Sequence, residues 1–189
     1  LRRAIDNSIA VVTLDKDTAE TCGYVLPRGG KQVSGASVHL ARILAQNYGN
    51  LRVESKVIAI TDKQIVSQAI AHDLETNYAV KIEVRKKILD RNGKRYNEDL
   101  IVMTGNAANA IAYRNAVFAV IPKAVTDKVY GAARNMITGD LSSKEQLIAR
   151  RKQALDHFED NYGVKESQKK NLHFYQPLIP RFQKYQKFP

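Results

Sequence analysis

Several residue groups in this chain have types and spacings suited to gripping a polyanion. Arg28 and Lys31 flank the pair Gly29-Gly30. Glycine lets a backbone approach a phosphate closely, and its amide can donate a hydrogen bond to it. Ser34 and Ser37 bracket an expected helix start, where free amides and the helix dipole favour an anion. Lys81, Arg85, Lys86, Lys87, Arg91, Lys94 and Arg95 crowd one strand end and the loop after it, against only Glu83 and Asp90. Arg114 interrupts an otherwise apolar, alanine-rich run. A buried cation is costly unless paired, so Arg114 either meets a carboxylate such as Asp73 or emerges into a groove. Arg42, beside His39, and Lys123, just past Pro122, would extend the positive surface, as would Arg134. The chemistry on offer is non-covalent. Cations neutralise phosphates and release counterions, and Tyr24, Tyr48, Tyr96 and Tyr113 could stack on bases.

Each group also has an ordinary reading. Gly29-Gly30 would be a plain hairpin tip, Ser37 a simple helix cap, Arg42 a solvated charge, and the run after Lys81 a solvated hairpin. The tyrosines would be core residues. An enzymatic reading starts from Glu54-Ser55-Lys56, a Glu-x-Lys tripeptide of the kind found in metal-dependent nucleases. Such a site needs a second carboxylate on a neighbouring strand to hold Mg²⁺. Asp15 and Asp17 precede it in a helical or loop context, and Asp73 and Glu75 follow it at a turn. A passive nucleic-acid-binding module is the third reading.

Composition favours the polyanion readings. Thirty Lys and Arg oppose nineteen Asp and Glu across 189 residues, for a formal net charge of +11. That field attracts nucleic acid first, and an acidic membrane surface or acidic protein second. A hydrophobic fraction of 44% supports a globular chain. One cysteine, Cys22, cannot form an internal disulfide, which points to a reducing, cytoplasmic compartment. One Cys and four scattered His do not supply a zinc site, so no cofactor is expected. Apolar runs are interrupted well before a membrane span is complete, and no signal peptide is visible. The first residue is Leu rather than Met, which suggests a missing natural N-terminus.

These residues need elements to position them. Residues 2 to 12 form an amphipathic segment, helix or strand, and Asp15 to Cys22 a helical turn or two. Residues 24 to 35 read as a β-hairpin turning at Gly29-Gly30. Ser37 to Tyr48 has helical periodicity, with Ser37 as cap and Gly49-Asn50 as stop. Strands follow over Leu51 to Ile60, Gln64 to Asp73 and Tyr78 to Leu89, joined by tight turns, as an antiparallel meander. In the last strand Val80, Ile82 and Val84 alternate with Lys81, Glu83 and Arg85. Asn106 to Ile121 reads as a long helix buried against the sheet. Lys123 to Ile137 restarts as a second helix, and Ser142 opens a third that runs to about Asn161. The fold class is therefore α+β: hairpin, helix, three-stranded antiparallel meander, long buried helix, then C-terminal helices. Residues 1–165 are expected to form one core domain. Residues 166–189, with Phe174, Tyr175, Phe182, Tyr185 and Phe188, read as a basic, aromatic tail or arm.

Three stretches in order resemble the phage RecT/Red-beta recombinase superfamily of single-strand annealing proteins. They are YVLPRGGKQVSGASVHLARILAQNYGN at 24–50, HDLETN at 72–77, and GNAANAIAYRNAVFAVIPK at 105–123. Order and spacing match along about residues 22 to 165. The resemblance implies ATP-independent annealing of complementary single-stranded DNA through an annealed duplex intermediate. It also implies a homo-oligomer as ring or filament, and a phage exonuclease and host single-strand binding protein as partners. A phage or prophage origin in a bacterial host goes with it. No Gly-x-x-x-x-Gly-Lys-Ser/Thr sequence is present, which agrees with a process that uses no ATP.

Overall fold

A glycine pair sets the first turn. In the computed structural model Gly29 and Gly30 have φ of +57° and +75°. Positive φ at both central residues is what a two-residue type I′ hairpin needs, and only glycine adopts it freely. Strands β1 (Gly23–Arg28) and β2 (Lys31–Ala36) pair antiparallel across it. The structure describes residues 1–139 and, beyond them, 148, 149, 152, 153, 156, 157, 159–161 and 163. The described positions from 148 to 161 are helical. The rest of the expected third helix and the tail at 166–189 lie outside the described residues.

Before the hairpin come α1 (Arg2–Val12) and α2 (Lys16–Thr21), so the undecided first segment is a helix. Asp15 caps α2, accepting from the Thr18 amide at 2.6 Å. After the hairpin, α3 (Val38–Tyr48) starts at Ser37. Strands β3 (Leu51–Ile60), β4 (Gln64–Asp73) and β5 (Tyr78–Lys87) then form an antiparallel sheet in the order β3-β4-β5. The last strand ends two residues before the expected Leu89, which instead bridges to Arg95.

The long helix α4 (Glu98–Val120) begins eight residues earlier than periodicity placed it. Asn97 caps it by accepting from the Leu100 amide, and Glu98 and Asp99 sit favourably in its first turn. Leu100, Val102 and Met103 are exposed there, so that stretch has no clean apolar face to read. Helix α5 (Lys123–Thr138) follows Pro122.

α4 joins two cores. Its residues Ile101, Ala108, Ala112 and Ala116 are buried against the sheet, with Ile65, Ala69 and Ala71 beneath them. Farther along, Val117 and Ile121 join Val12, Leu40, Leu44 and Val129 in a cluster built by the helices. Small residues on α4 set its close approach to the sheet. A Cβ at Gly105 would lie 2.9 Å from Ile65 Cδ1. The α+β architecture read from sequence is the observed one, with helix on one sheet face and none of the described elements on the other.

Candidate nucleic-acid interface

Alternation along the strands decides which cations can act together. Residues Ile65, Ser67, Ala69, Ala71 and Asp73 of β4 are buried on the α4 side. By alternation Gln64, Val66, Gln68, Ile70 and His72 face the other way, with Val66 itself buried among its neighbours. Register carries this to the edges. Arg52, Glu54 and Lys56 of β3 pair with His72, Ile70 and Gln68, and Ala79, Lys81, Glu83, Arg85 and Lys87 of β5 complete the rows. The open face thus gathers Arg52, Lys56, Lys81, Arg85 and Lys87 around Glu54 and Glu83.

The expected basic cluster is divided by this geometry. Lys81, Arg85 and Lys87 share the open face, but Lys86 pairs with Ile65 and belongs to the helix side. Arg91 and Lys94 stand exposed on the loop after β5, where Asp90 Oδ1 accepts from the Asn92 and Lys94 amides at 2.8 Å. Arg95 is tied back to the Thr61 carbonyl at 2.9 Å. One strand of DNA cannot meet Arg85, Lys86 and Lys87 side by side, because consecutive strand residues point oppositely.

A second group sits at the root of the hairpin. Arg114 is two residues from Ala112, about 200° round α4, and so points away from the sheet. Its guanidinium lies 5.1 Å from the Tyr24 ring centroid and donates to Asn115 Oδ1 at 3.0 and 3.2 Å. Among the described residues no carboxylate pairs with it. Asp73, the carboxylate considered for it, is committed elsewhere. Asp73 accepts from the Thr76 hydroxyl at 2.9 Å and the Glu75 amide at 2.9 Å. Those bonds, the Thr76 hydroxyl first, hold its carboxyl below the usual carboxylate value against opposing desolvation.

Glycines make room for the rings. A Cβ at Gly35 would lie 3.1 Å from the Tyr24 hydroxyl oxygen, and one at Gly23 would lie 3.2 Å from that of Tyr130. Arg134 sits 6.0 Å from the Tyr130 centroid. Burial raises the Tyr130 hydroxyl pKa, opposed by Arg134, and raises that of Tyr113, opposed by Arg42. Arg42 is exposed on α3 beside Tyr113. The junction therefore interleaves Arg114, Arg42 and Arg134 with Tyr24, Tyr113 and Tyr130. Tyr48, Tyr96 and Tyr113 also pack on the cores, as the ordinary reading had it. Sequence reading missed Tyr130. The glycine before Tyr24 is its only local signal, and nothing in a sequence says which ring that glycine meets.

The remaining candidates divide. Lys31 and Ser34 are exposed on the hairpin, and the Arg28 backbone pairs with Lys31. Lys123 is exposed but donates to Asp127 Oδ1 at 2.6 Å, so much of its charge is answered locally. Ser37 is only 7% exposed and its hydroxyl is fully used. It accepts from the His39 and Leu40 amides and donates to the Thr21 carbonyl at 2.6 Å. A hydroxyl has one donor and two acceptor sites, so none is left for a phosphate. Ser37→Ala is expected to cost about 1–2 kcal/mol of stability in urea unfolding, as a lost cap does, and to leave the salt dependence of DNA binding unchanged.

The tripeptide Glu54-Ser55-Lys56 lacks the neighbour a metal site needs. Glu54 accepts from Arg52 Nε at 2.6 Å, and its row partners are Ile70 and Lys81 rather than a carboxylate. Among the described residues no group of three or more His, Cys, Asp or Glu is placed to hold a metal ion. Burial pushes the Cys22 thiol up to about 11, so it is un-ionised near neutral pH. No described helix is long and apolar enough to cross a membrane. Compared with known proteins, the chain matches no family model, no curated protein and no solved structure.

Proposed function

We propose that this protein binds single-stranded DNA and anneals complementary strands without ATP, as a step in homologous recombination. The observation that carries the reading is Arg114: a half-buried guanidinium with no carboxylate partner among the described residues, laid over Tyr24 at 5.1 Å. An ion-paired arginine serves the fold. One whose charge is met only by an amide oxygen and a ring face retains charge for an outside anion. Arg42, Lys31 and Ser34 on the adjoining helix and hairpin suit phosphates, and Tyr24, which lies outside the core clusters, suits a base. Annealing needs that combination, because the backbone must be gripped while base edges stay free to pair. The resemblance at 24–50, 72–77 and 105–123 supports the same reading. With it come the homo-oligomer, the exonuclease and the host single-strand binding protein as proposed partners.

The test is a mixture of two complementary oligonucleotides carrying a fluorophore and a quencher. With the protein and no nucleotide, quenching should run faster than in its absence. Equal rates would refute the reading. Cutting of labelled DNA in Mg²⁺ that Glu54→Ala abolishes would establish the nuclease instead.

A further inference from the structure

The open face of the sheet has a charge pattern different from the junction. Its cations stand on the two edge strands, Arg52 and Lys56 on β3 and Lys81, Arg85 and Lys87 on β5. The central strand between them is uncharged apart from His72: Gln64, Val66, Gln68, Ile70 and His72. Neighbouring strands lie about 4.8 Å apart, so the two rows of cations run about 10 Å apart over a neutral floor. From Lys81 to Lys87 the row extends about 20 Å.

The carboxylates on this face already have partners. Glu54 is bound by Arg52, and Glu83 lies 4.0 Å from Arg85 and accepts from Gln68 at 3.4 Å. Lys56, Lys81 and Lys87 are exposed and, among the described residues, paired with no carboxylate. Cations this far apart do not converge on one small anion. They suit an extended polyanion whose charges repeat along a line. The floor has no aromatic residue on which a base could stack, so backbone rather than bases would be recognised. Among the described residues on the rows of this face, Ile70 is the one large apolar side chain left exposed, too little to enter a bilayer. Arg114 points away from the sheet, so α4, about 10 Å thick with its side chains, and the sheet itself stand between the two surfaces.

We infer that the open face of the β3-β4-β5 sheet is a second, separate nucleic-acid surface. It holds the sugar–phosphate backbone of a strand by charge alone, through Lys56, Lys81, Arg85 and Lys87. The choice of nucleic acid as occupant rests on the proposed function. The two surfaces differ in chemistry, with bases and backbone engaged at the junction and backbone only at the sheet. A chain with both can hold one strand while a second lies on its opposite side.

Amine-reactive acylation of the full chain tests this, with a non-complementary single-stranded oligonucleotide as probe and Lys16 on α2 as an exposed reference. At a probe concentration about tenfold above the dissociation constant, Lys56, Lys81 and Lys87 should react about tenfold more slowly, and Lys16 unchanged. The protection should persist in a Tyr24→Ala/Arg114→Ala variant, and removing the three lysine charges should make the salt slope shallower by about 2. Unprotected lysines on the DNA-bound wild type would overturn the inference, and so would protection that vanishes in the junction variant. Protection by poly-glutamate at concentrations where the oligonucleotide gives none would overturn it in favour of an acidic protein partner. Failure of the proposed function is read separately, as a wild-type protein that does not speed annealing.

Discussion

Ala112→Asp is expected to lower the urea unfolding midpoint far more than an aspartate placed on the exposed side of the same helix. Ala112 is 0% exposed, on the face of α4 that packs over Ala69 and Ala71. A carboxylate there has no cation beneath it, because Ala69 and Ala71 pair with Ile82 and Val80, and Lys86, the β5 cation on the helix side, lies opposite Ile65, four residues farther along the strand. An ionised group stranded in such a site either costs several kcal/mol or stays protonated at a similar cost. Domain stabilities run about 5–15 kcal/mol, so that loss takes a large share of the whole. Ala107→Asp on the exposed side of the same helix carries the same helix-propensity cost, about 0.7 kcal/mol, without the burial. The pair of urea midpoints by circular dichroism separates the two effects. Equal midpoints for Ala112→Asp and Ala107→Asp would show that α4 does not seat on the sheet through this stripe.

The sheet and the hairpin were legible in the sequence because their signals are local. Gly29-Gly30 between short apolar runs encodes a turn with positive φ, and alternation in Val80–Arg85 encodes a half-buried strand. The β3–β5 boundaries follow from the turn residues at 61–63 and 75–77. The start of α4 was not legible from periodicity. Its first two turns carry Leu100, Val102 and Met103 in exposed positions, so the helical period gives no face, and Gly105 reads as a break. Asn97-Glu98-Asp99 was the available start signal, a cap followed by an acidic first turn.

The site was legible in composition and not in arrangement. That Arg85, Lys86 and Lys87 are cationic is plain, but a cluster in sequence becomes two faces on a strand. Arg52 and Lys56 join Lys81 and Arg85 only through cross-strand register, whose pairs here (Arg52↔His72, Lys56↔Gln68, Ile70↔Lys81, Val66↔Arg85) lie 11 to 20 positions apart and are set by the whole sheet. Likewise the contact of Tyr24 with Arg114 spans the hairpin and the long helix. The sequence showed an arginine out of place in an apolar helix and left two destinations for it. Choosing between them required knowing that the Asp73 carboxylate is spent on its own turn.

That contact is the basis of the prediction with the largest expected effect on function. Arg114→Ala should leave the fold nearly intact. No buried carboxylate is stranded by it, since the guanidinium meets only Asn115 Oδ1 and the Tyr24 ring. The stability at stake is that of a cation–π contact at a partly exposed site, about 0.5–1 kcal/mol, against the 3–5 kcal/mol of a broken buried ion pair. Binding of single strands should fall much further. A bidentate, charge-assisted contact to phosphate is lost together with the cation that orients Tyr24, and each 1.4 kcal/mol is about tenfold in affinity. Arg114→Lys distinguishes charge from geometry. Lysine keeps the positive charge but has no planar fork to stack on Tyr24 or to engage two oxygens at once. The expected order of annealing rate is wild type, then Arg114→Lys, then Arg114→Ala, with melting temperatures within a few degrees of one another. A large fall in melting temperature for Arg114→Ala, with DNA binding by the folded fraction unchanged, would make Arg114 a strut of the fold and remove the junction from the DNA path.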